Sequence, residues 1–351
     1  MIDVGLVGFG LAGKTFHAPI ISAVDGLRLA AIVQRSGSDA VKTYPDATIL
    51  RSVPELLARE TIRLVVVATP NSTHYEIARA ALVAGRHVVV DKPLTPTWKE
   101  GDALANLARE KRVLLSIYQN RRWDGDFLTV RKLIEERKLG QLVHFESHFD
   151  RYRPELRPAA WRQRNEPGSG LLFDLGTHLV DQAVVLFGPP QAIRADVRAE
   201  RSGAAVDDAF EVILHYPALR AVLRASMLRC SPGPRFTLHG TKGSYVKYGL
   251  DPQEEALKRG EAPGRNALGM EKPEAWGVLS TADDGGVQSR PFATLAGDYR
   301  HYYENVRDAI LGKAQLAVTP EQALTVLRII ELTRESNASG CDVTFAIRRS
   351  A

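Results

Sequence analysis

Short apolar runs without polar interruption alternate with longer amphipathic stretches through the first third of the chain. A run of the first kind suits a parallel strand covered on both faces, and a stretch of the second kind suits the helix that covers it. The pattern predicts strands from Val4 into Gly8, at Leu27 to Val33, Leu64 to Ala68, His87 to Val90 and Val113 to Ile117, with Thr48 to Leu50 as a short sixth. Helices are expected from about Leu11 to Ala23, bent or interrupted at Pro19, from His74 to Ala84 with Gly85 as the stop, and from about Thr97 to Lys111. Ser52-Val53-Pro54-Glu55 reads as one more helix start, with Ser52 as cap and Glu55 completing a capping box. A doubly wound parallel sheet closing near Tyr118 follows from this alternation.

The pattern changes after Asp124. A helix, Asp126 to Arg137, leads through Leu139-Gly140 to a strand at Val143 to Phe149, then to an arginine-rich, proline-broken stretch reaching Gly170. Leu171 to Phe187 reads as a helix buried on most sides. Alternating segments follow at Ala192 to Arg201, Ala209 to Tyr216, Leu219 to Met227, Arg235 to His239 and Gly243 to Lys247, the pattern of an antiparallel sheet. From about Asp251 to Gly297 the pattern is mixed, with a short helix near Glu254 to Arg259 and a loop rich in Gly and Pro. Helices near Asp298 to Leu311 and Pro320 to Ser336 and a strand at Val343 to Ile347 end the chain. The fold class is therefore α/β, with a dinucleotide-binding domain over 1–120 and an α+β domain with a mostly antiparallel open sheet over 121–351.

With 351 residues, 44% hydrophobic and 25% charged, the chain suits two domains that each bury a core. The formal charge of +5 carries no nucleic-acid signal, because the basic residues are scattered among nearly as many acids. A phosphate-bearing cofactor or an acidic metabolite is partner enough for that surplus. Cys230 and Cys341 stand in no metal or redox spacing, no run approaches membrane-spanning length, and no leader pattern precedes the first strand, so a cytoplasmic protein is expected.

Candidate chemistry begins at Gly8-Phe9-Gly10-Leu11-Ala12-Gly13, a G-x-G-x-x-G turn between strand and helix. In such a turn Gly8 makes the bend, Gly10 admits a pyrophosphate against the backbone, and Gly13 lets helix and strand lie close. The helix N-terminus adds free N–H groups for the phosphates. At the end of the second strand, Val33-Gln34-Arg35-Ser36 lacks the acid that normally holds the ribose 2'-hydroxyl of NAD. Arg35 and Ser36 suit a 2'-phosphate instead, so NADP is favoured over NAD. The Thr69-Pro70-Asn71 loop, with His74 behind it, should face the cofactor from the carboxyl end of a central strand. His17 and His74 read equally well as packing residues.

Lys92 stands at the mouth of the crevice after Asp91, its backbone restricted by Pro93. Asp174 and His178, four residues apart, share one helix face. A metal-free alcohol dehydrogenase needs a base for the hydroxyl proton, for which His178 is suited, and a cation to hold the oxygen, for which Lys92 is suited. Asp174 is placed to bind a neighbouring hydroxyl or tune either partner. Two ligands without a third at useful spacing argue against a metal site.

These motifs resemble the glucose-fructose oxidoreductase, inositol dehydrogenase and rhizopine catabolism family (Gfo/Idh/MocA) over nearly the full length. The matching residues are Gly8 to Gly13, Thr69-Pro70-Asn71 to His74, Asp91-Lys92-Pro93 for the family's Glu-Lys-Pro, and Asp174 to His178 for its Asp-x-Gly-x-His. Thr15 to Pro19, Tyr118 to Asp124, Tyr152 to Glu155 and His239 to Tyr245 resemble one bacterial subgroup that includes NADP-dependent inositol dehydrogenases. The resemblance implies a Lys92, Asp174 and His178 triad, with hydride passing between substrate carbon and nicotinamide. It adds Gln119 to the cofactor contacts and assigns Asn120, Arg122, Trp123, Tyr152, Trp161 and Arg162 to a polyol pocket, although Trp123 and Trp161 read equally as core. It also implies a homodimer or homotetramer through the C-terminal sheet. The expected reaction interconverts a cyclic polyol or sugar hydroxyl and its ketone, scyllo-inositol and scyllo-inosose first. An aldose or other sugar dehydrogenase is the alternative, and a catalytically silent NADP-binding sensor is the alternative of another class.

Overall fold

The computed structural model describes residues 1–157, 161–264, 268–283 and 285–346. Its chain divides into two compact units. The first comprises Met1–Trp123, Gln253–Leu268 and Asp298–Leu324, and the second Asp124–Pro252, Gly269–Gly297 and the chain from Thr325 onward.

In the first unit β1 (Ile2–Val7), β2 (Leu27–Val33), β3 (Thr48–Leu50), β4 (Ile62–Val67), β5 (His87–Asp91) and β6 (Leu115–Tyr118) form one parallel sheet. Their order is β3-β2-β1-β4-β5-β6. Every residue of β1 is buried, and every residue of β4 except Arg63, as continuous apolar runs require. The order reverses between β1 and β4, so a crevice opens outside their carboxyl ends. The short sixth strand is present as β3. Ser52 and Glu55 form the expected box: the Ser52 hydroxyl donates to Glu55 Oε1 at 2.6 Å, and the Arg51 N–H donates to Glu55 Oε2 at 3.2 Å.

The first helix is irregular. A wide π-type turn, Gly13–His17, precedes an α-helix at Ala18–Ser22. Leu11 and Ala12 are already helical, so the helix spans Leu11 to Ser22 with its regular ladder interrupted by this wide turn just ahead of Pro19, whose missing N–H takes no part in an α-type bond. The sheet unit is also not built from contiguous chain. In the helix Arg300–Ile310, Tyr302 donates its hydroxyl to Ser116 Oγ at 3.0 Å, and Ser116 donates to Val318 O at 2.9 Å. These bonds cover β6 with chain from almost two hundred residues later.

The second unit holds β7 (Leu142–His148), β8 (Ala192–Arg198), β9 (Ala209–His215), β10 (Arg220–Ser226), β11 (Phe236–Gly240), β12 (Gly243–Lys247), β13 (Gly277–Asp283), β14 (Gly286–Phe292) and β15 (Val343–Thr344). They form one open sheet in the order β14-β13-β12-β11-β7-β10-β9-β8-β15, antiparallel except where β7 meets β10. The hairpin β13–β14 lies inside the stretch read as mixed. Six of the seven residues of β14 are exposed and it carries Pro291, so this edge strand has no buried face to write an alternating pattern. Of the strand expected at Val343 to Ile347, only Val343–Thr344 forms, and Ile347 lies outside the described residues.

One face of this sheet presents Phe145, Leu223, Val212 and Leu238, all fully buried. The Phe145 ring lies 5.2 Å from that of Phe187 at the end of the helix Thr177–Phe187. The opposite face carries a row of charges: Glu146 lies 2.9 Å from Arg224, which lies beside Glu211. Among the described residues no helix is long and apolar enough to cross a membrane.

Charged side chains are buried on the apolar side as well, among them Arg235. It donates to Ser147 Oγ, to His148 O at 3.2 Å and to Gln182 Oε1 at 2.9 Å, and its Nε lies 3.4 Å from Asp126 Oδ2. Removing one partner of a buried ion pair strands the other, so Arg235→Met should cost about 3–5 kcal/mol. Urea unfolding with an unchanged m-value should read this loss, and a second substitution, Asp126→Asn, should recover part of it. Additive losses would show that the pair is not coupled.

Candidate active site

Two of the three turn glycines are required by contact. A Cβ on Gly8, whose φ is 100°, would stand 2.4 Å from Ala68 O, and one on Gly13 would stand 2.1 Å from Gly8 O. Gly10 is the opposite case, since a Cβ there would meet nothing within 4 Å. The chain thus pinches tight on either side of open ground at Gly10, the shape a pyrophosphate needs against bare backbone. Phe9 turns its edge to Tyr44 at 6.0 Å, and Leu11 is 61% exposed beside the opening. These residues fit the phosphates of a dinucleotide.

Arg35 and Ser36 are both exposed in the loop after β2. The loop beneath them is braced. Gln34 N–H donates to Leu50 O at 3.0 Å, Gln34 Oε1 accepts the Ala40 N–H at 3.1 Å, and Arg51 Nη1 donates to Gln34 O at 2.8 Å and Gly37 O at 3.0 Å. Arg51 was not foreseen. It arrives from the end of β3, and only the pairing of β3 with β2 brings it beneath this loop. The nearest acid, Asp39, begins the next helix and lies 3.9 Å from Lys14.

The loops after β4 and β5 are tied together by His74. Its ring is fully buried, with Nδ1 2.8 Å from Pro93 O and Nε2 2.9 Å from Thr69 O. Each ring nitrogen thus faces a backbone carbonyl, one from each loop. Burial pulls its pKa below the ordinary imidazole value, while Asp91 and the carbonyls work the other way. Asn71 is buried, whereas Thr69 and Pro70 are half-buried. Asp91 ends β5 and accepts the Lys92 N–H on Oδ1 at 2.8 Å. Burial opposes its charge, but His17, Lys92 and His74 hold the carboxyl below its ordinary value.

Gln119 is buried, donating its N–H to Ile117 O at 2.8 Å. It leads into the turn Asn120–Trp123. Arg122 there is buried, and its Nη1 donates to Ala317 O at 2.7 Å and Gln322 Oε1 at 2.9 Å. Those bonds make Arg122 a brace on the returning segment, a part that its expected place in a polyol pocket did not anticipate. Trp123 packs edge-on against Tyr302 at 5.6 Å.

In the second unit Asp174 lies on a wide turn, Leu172–Gly176, that runs into the helix carrying His178. Such single wide turns gather at functional positions. His178 is 5% exposed, and Asp174 Oδ1 lies 3.2 Å from Arg162 Nε. The Arg162 guanidinium stacks over the Trp161 ring at 4.6 Å, so Trp161, Arg162 and Asp174 form one assembly. Tyr152 is 56% exposed and pairs by a single bridge with Leu228. Among the described residues no group of three or more His, Cys, Asp and Glu is arranged to hold a metal ion.

Residues 2–119 match the family described as oxidoreductase family, NAD-binding Rossmann fold (Gfo/Idh/MocA), and residues 131–345 match its C-terminal alpha/beta domain. Uncharacterized oxidoreductase YdgJ of Escherichia coli K12 is 43% identical over 95% of this chain and 96% of its own. The scyllo-inositol 2-dehydrogenase (NADP(+)) IolW of Bacillus subtilis is 39% identical over 96% of this chain and 94% of its own. The solved structure of yvaA from Bacillus subtilis superposes with a TM-score of 0.95 at 38% identity, covering 98% of each chain.

The glycine geometry separates folding from nucleotide binding. Gly10→Ala should leave the melting temperature nearly unchanged and weaken dinucleotide binding, because its methyl group fills only the open ground. Gly13→Ala should lower stability itself, since backbone must move to admit it. Calorimetric melting beside dinucleotide titration checks both, and equal destabilisation by the two variants would overturn the distinction.

Proposed function

The chain belongs to the Gfo/Idh/MocA oxidoreductase family, and on that premise we propose that it interconverts a cyclic polyol and its ketone with NADP(H), scyllo-inositol and scyllo-inosose being the leading pair. Likeness to IolW along nearly all of both chains supports the substrate. The observation that carries the cofactor is the loop after β2, which offers Arg35 and Ser36 outward on a braced backbone with no acid among Gln34 to Ser38. A guanidinium and a hydroxyl there suit a 2'-phosphate and would leave a bare 2'-hydroxyl poorly held.

When bound, the nicotinamide accepts or supplies the hydride. Gly8 to Gly13 would hold the phosphates of the dinucleotide, and Thr69, Pro70, Asn71, Asp91 and Gln119 would hold its nicotinamide end. His178 takes the hydroxyl proton as the alcohol is oxidised and returns it as the ketone is reduced. The Lys92 ammonium stabilises the oxygen as it becomes a carbonyl. Asp174 holds a neighbouring hydroxyl together with Arg162, over Trp161. Asn120, Trp123 and Tyr152 complete the proposed substrate contacts. The charged face of the nine-stranded sheet is read as the seat of a second copy of the chain. His148, Glu211 and Arg224 line a cavity of about 430 Å³ there.

A sugar substrate is the second reading. Levoglucosan dehydrogenase of Pseudarthrobacter phenanthrenivorans is 27% identical over 70% of this chain and 73% of its own.

Purified protein should oxidise NADPH with scyllo-inosose faster than with any aldose or other ketone in a panel. An aldose as the better substrate selects the second reading, and tight NADPH binding without turnover selects a sensor. Lys92→Met should abolish turnover and leave NADPH affinity largely intact, whereas parallel loss of both would remove Lys92 from the chemistry. A hydrogen bond to a charged group contributes about 1.5–3 kcal/mol, so Arg35→Ala should weaken NADPH by roughly ten- to a hundredfold and leave NADH nearly unchanged. Equal weakening of both nucleotides would sink the 2'-phosphate role.

A further inference from the structure

The first unit buries the imidazole of His17, which the proposed chemistry does not use. His17 is fully buried, its Nδ1 lies 2.6 Å from the Tyr303 hydroxyl oxygen, and its ring centre is 4.3 Å from that of Tyr118. Its Nε2 lies 3.9 Å from Asp91 Oδ2 and has no hydrogen-bond partner among the described residues. A single hydrogen occupies the short contact between Nδ1 and the phenol oxygen, and two arrangements compete for it. If Nδ1 donated, the lone pair of Nε2 would face the Asp91 carboxylate, and the phenol would lose its acceptor. If Tyr303 donates, the phenol proton is placed and an Nε2–H faces the anion. The second arrangement gives Nδ1 a donor and sets an N–H rather than a lone pair against the anion. Burial, reinforced by Tyr118, Tyr302 and Asp91, holds the Tyr303 hydroxyl well above its ordinary pKa, so it remains a donor.

We propose that His17, locked by Tyr303 in its Nε2–H form, is a positioning residue that orients the Asp91 carboxylate and through it the backbone of Lys92. The proposal rests on the reading of Lys92 as the group that holds the substrate oxygen. Asp91 makes the link, because Oδ1 accepts the Lys92 N–H at 2.8 Å while Oδ2 faces His17. At 3.9 Å the His17 contact is too long for a hydrogen bond, so it acts by electrostatic attraction in a water-poor site. The other cations facing Asp91 are Lys92 and, from the helix after β4, His74 in its protonated form.

The test is a carbon-13 carboxyl NMR titration in which Asp91→Asn assigns the signal, run on the full chain and on His17→Leu, His17→Gln and Tyr303→Phe. Asp91 should titrate below the ordinary carboxylate range in the unaltered protein and move upward in His17→Leu. His17→Gln, whose amide N–H can stand in for Nε2–H, should recover most of the difference. The stability that Asp91 contributes is full above its unfolded pKa and is lost as pH falls through the folded value. Acid unfolding of His17→Leu should therefore begin at higher pH. Misplacing a catalytic group by about 1 Å can cost roughly a hundredfold, so kcat with the preferred ketone should fall between ten- and a hundredfold in His17→Leu with the KM for NADPH little changed. An Asp91 titration in His17→Leu that matches the unaltered protein overturns the proposal, as does equal loss of kcat in the Leu and Gln variants. Should His17→Leu fail to fold, Tyr303→Phe keeps the ring and frees only the tautomer. An upward Asp91 titration is again expected there, and an unchanged one overturns the proposal. Absence of turnover on every ketone would count against the proposed function alone, since the Asp91 titration does not depend on it.

Discussion

A carboxylate cannot be buried alone, and the first unit is arranged around that constraint at Asp91. Burial alone would push the carboxyl toward neutrality, yet it is held charged by His17 and by the Lys92 backbone N–H, with the Lys92 side chain as a further cation. His74 ties the loop after β4 to the loop after β5 through two carbonyls, and His17 joins Asp91 to Tyr303 on a helix that returns from the far end of the sequence. One largely buried charge therefore links the ends of β4 and β5 with the helix Arg300–Ile310.

The second unit meets the same constraint differently on its two faces. On the apolar face the Arg235 guanidinium donates to Ser147, His148 and Gln182, faces Asp126 and lies 4.1 Å over the Phe236 ring, so its charge is compensated by protein groups. On the open face Glu146, Arg224, Glu211 and His148 neutralise one another in a row. Burial opposes the charge of His148, but Asp150 and Glu146 raise its pKa above the ordinary value. A face that is charged yet internally paired stays soluble when open and can be covered without stranding an ion.

Both units place site residues beside wide helical turns. Gly13–His17 follows the glycine turn and carries His17, and Leu172–Gly176 carries Asp174 just ahead of His178. A wide turn inserts one residue into the helix and re-aims the side chains around it while the flanking helix stays packed. Close packing explains how the first of these is tolerated, because Gly13 sits against the Gly8 carbonyl where no side chain fits. The same contact that brings helix and strand together leaves the space at Gly10 free.

The sequence by itself determined the strand and helix alternation of the first unit, the glycine turn, the acid-free loop at Arg35 and Ser36, and the Lys92, Asp174 and His178 candidates. Each of these is written in local terms: an uninterrupted apolar run, a fixed spacing, or a missing acid. Tertiary structure decided the rest. The wide turns have the same apolar spacing as an ordinary helix to within one residue, so periodicity does not distinguish them. The edge strand Gly286–Phe292 has no buried face and leaves no alternation to read. The part played by His17 depends on Tyr303, 286 residues away, and that of Arg122 on Ala317 and Gln322. Such contacts carry no local signature, because which buried polar group meets which partner is settled only when the chain has packed and every donor must find an acceptor.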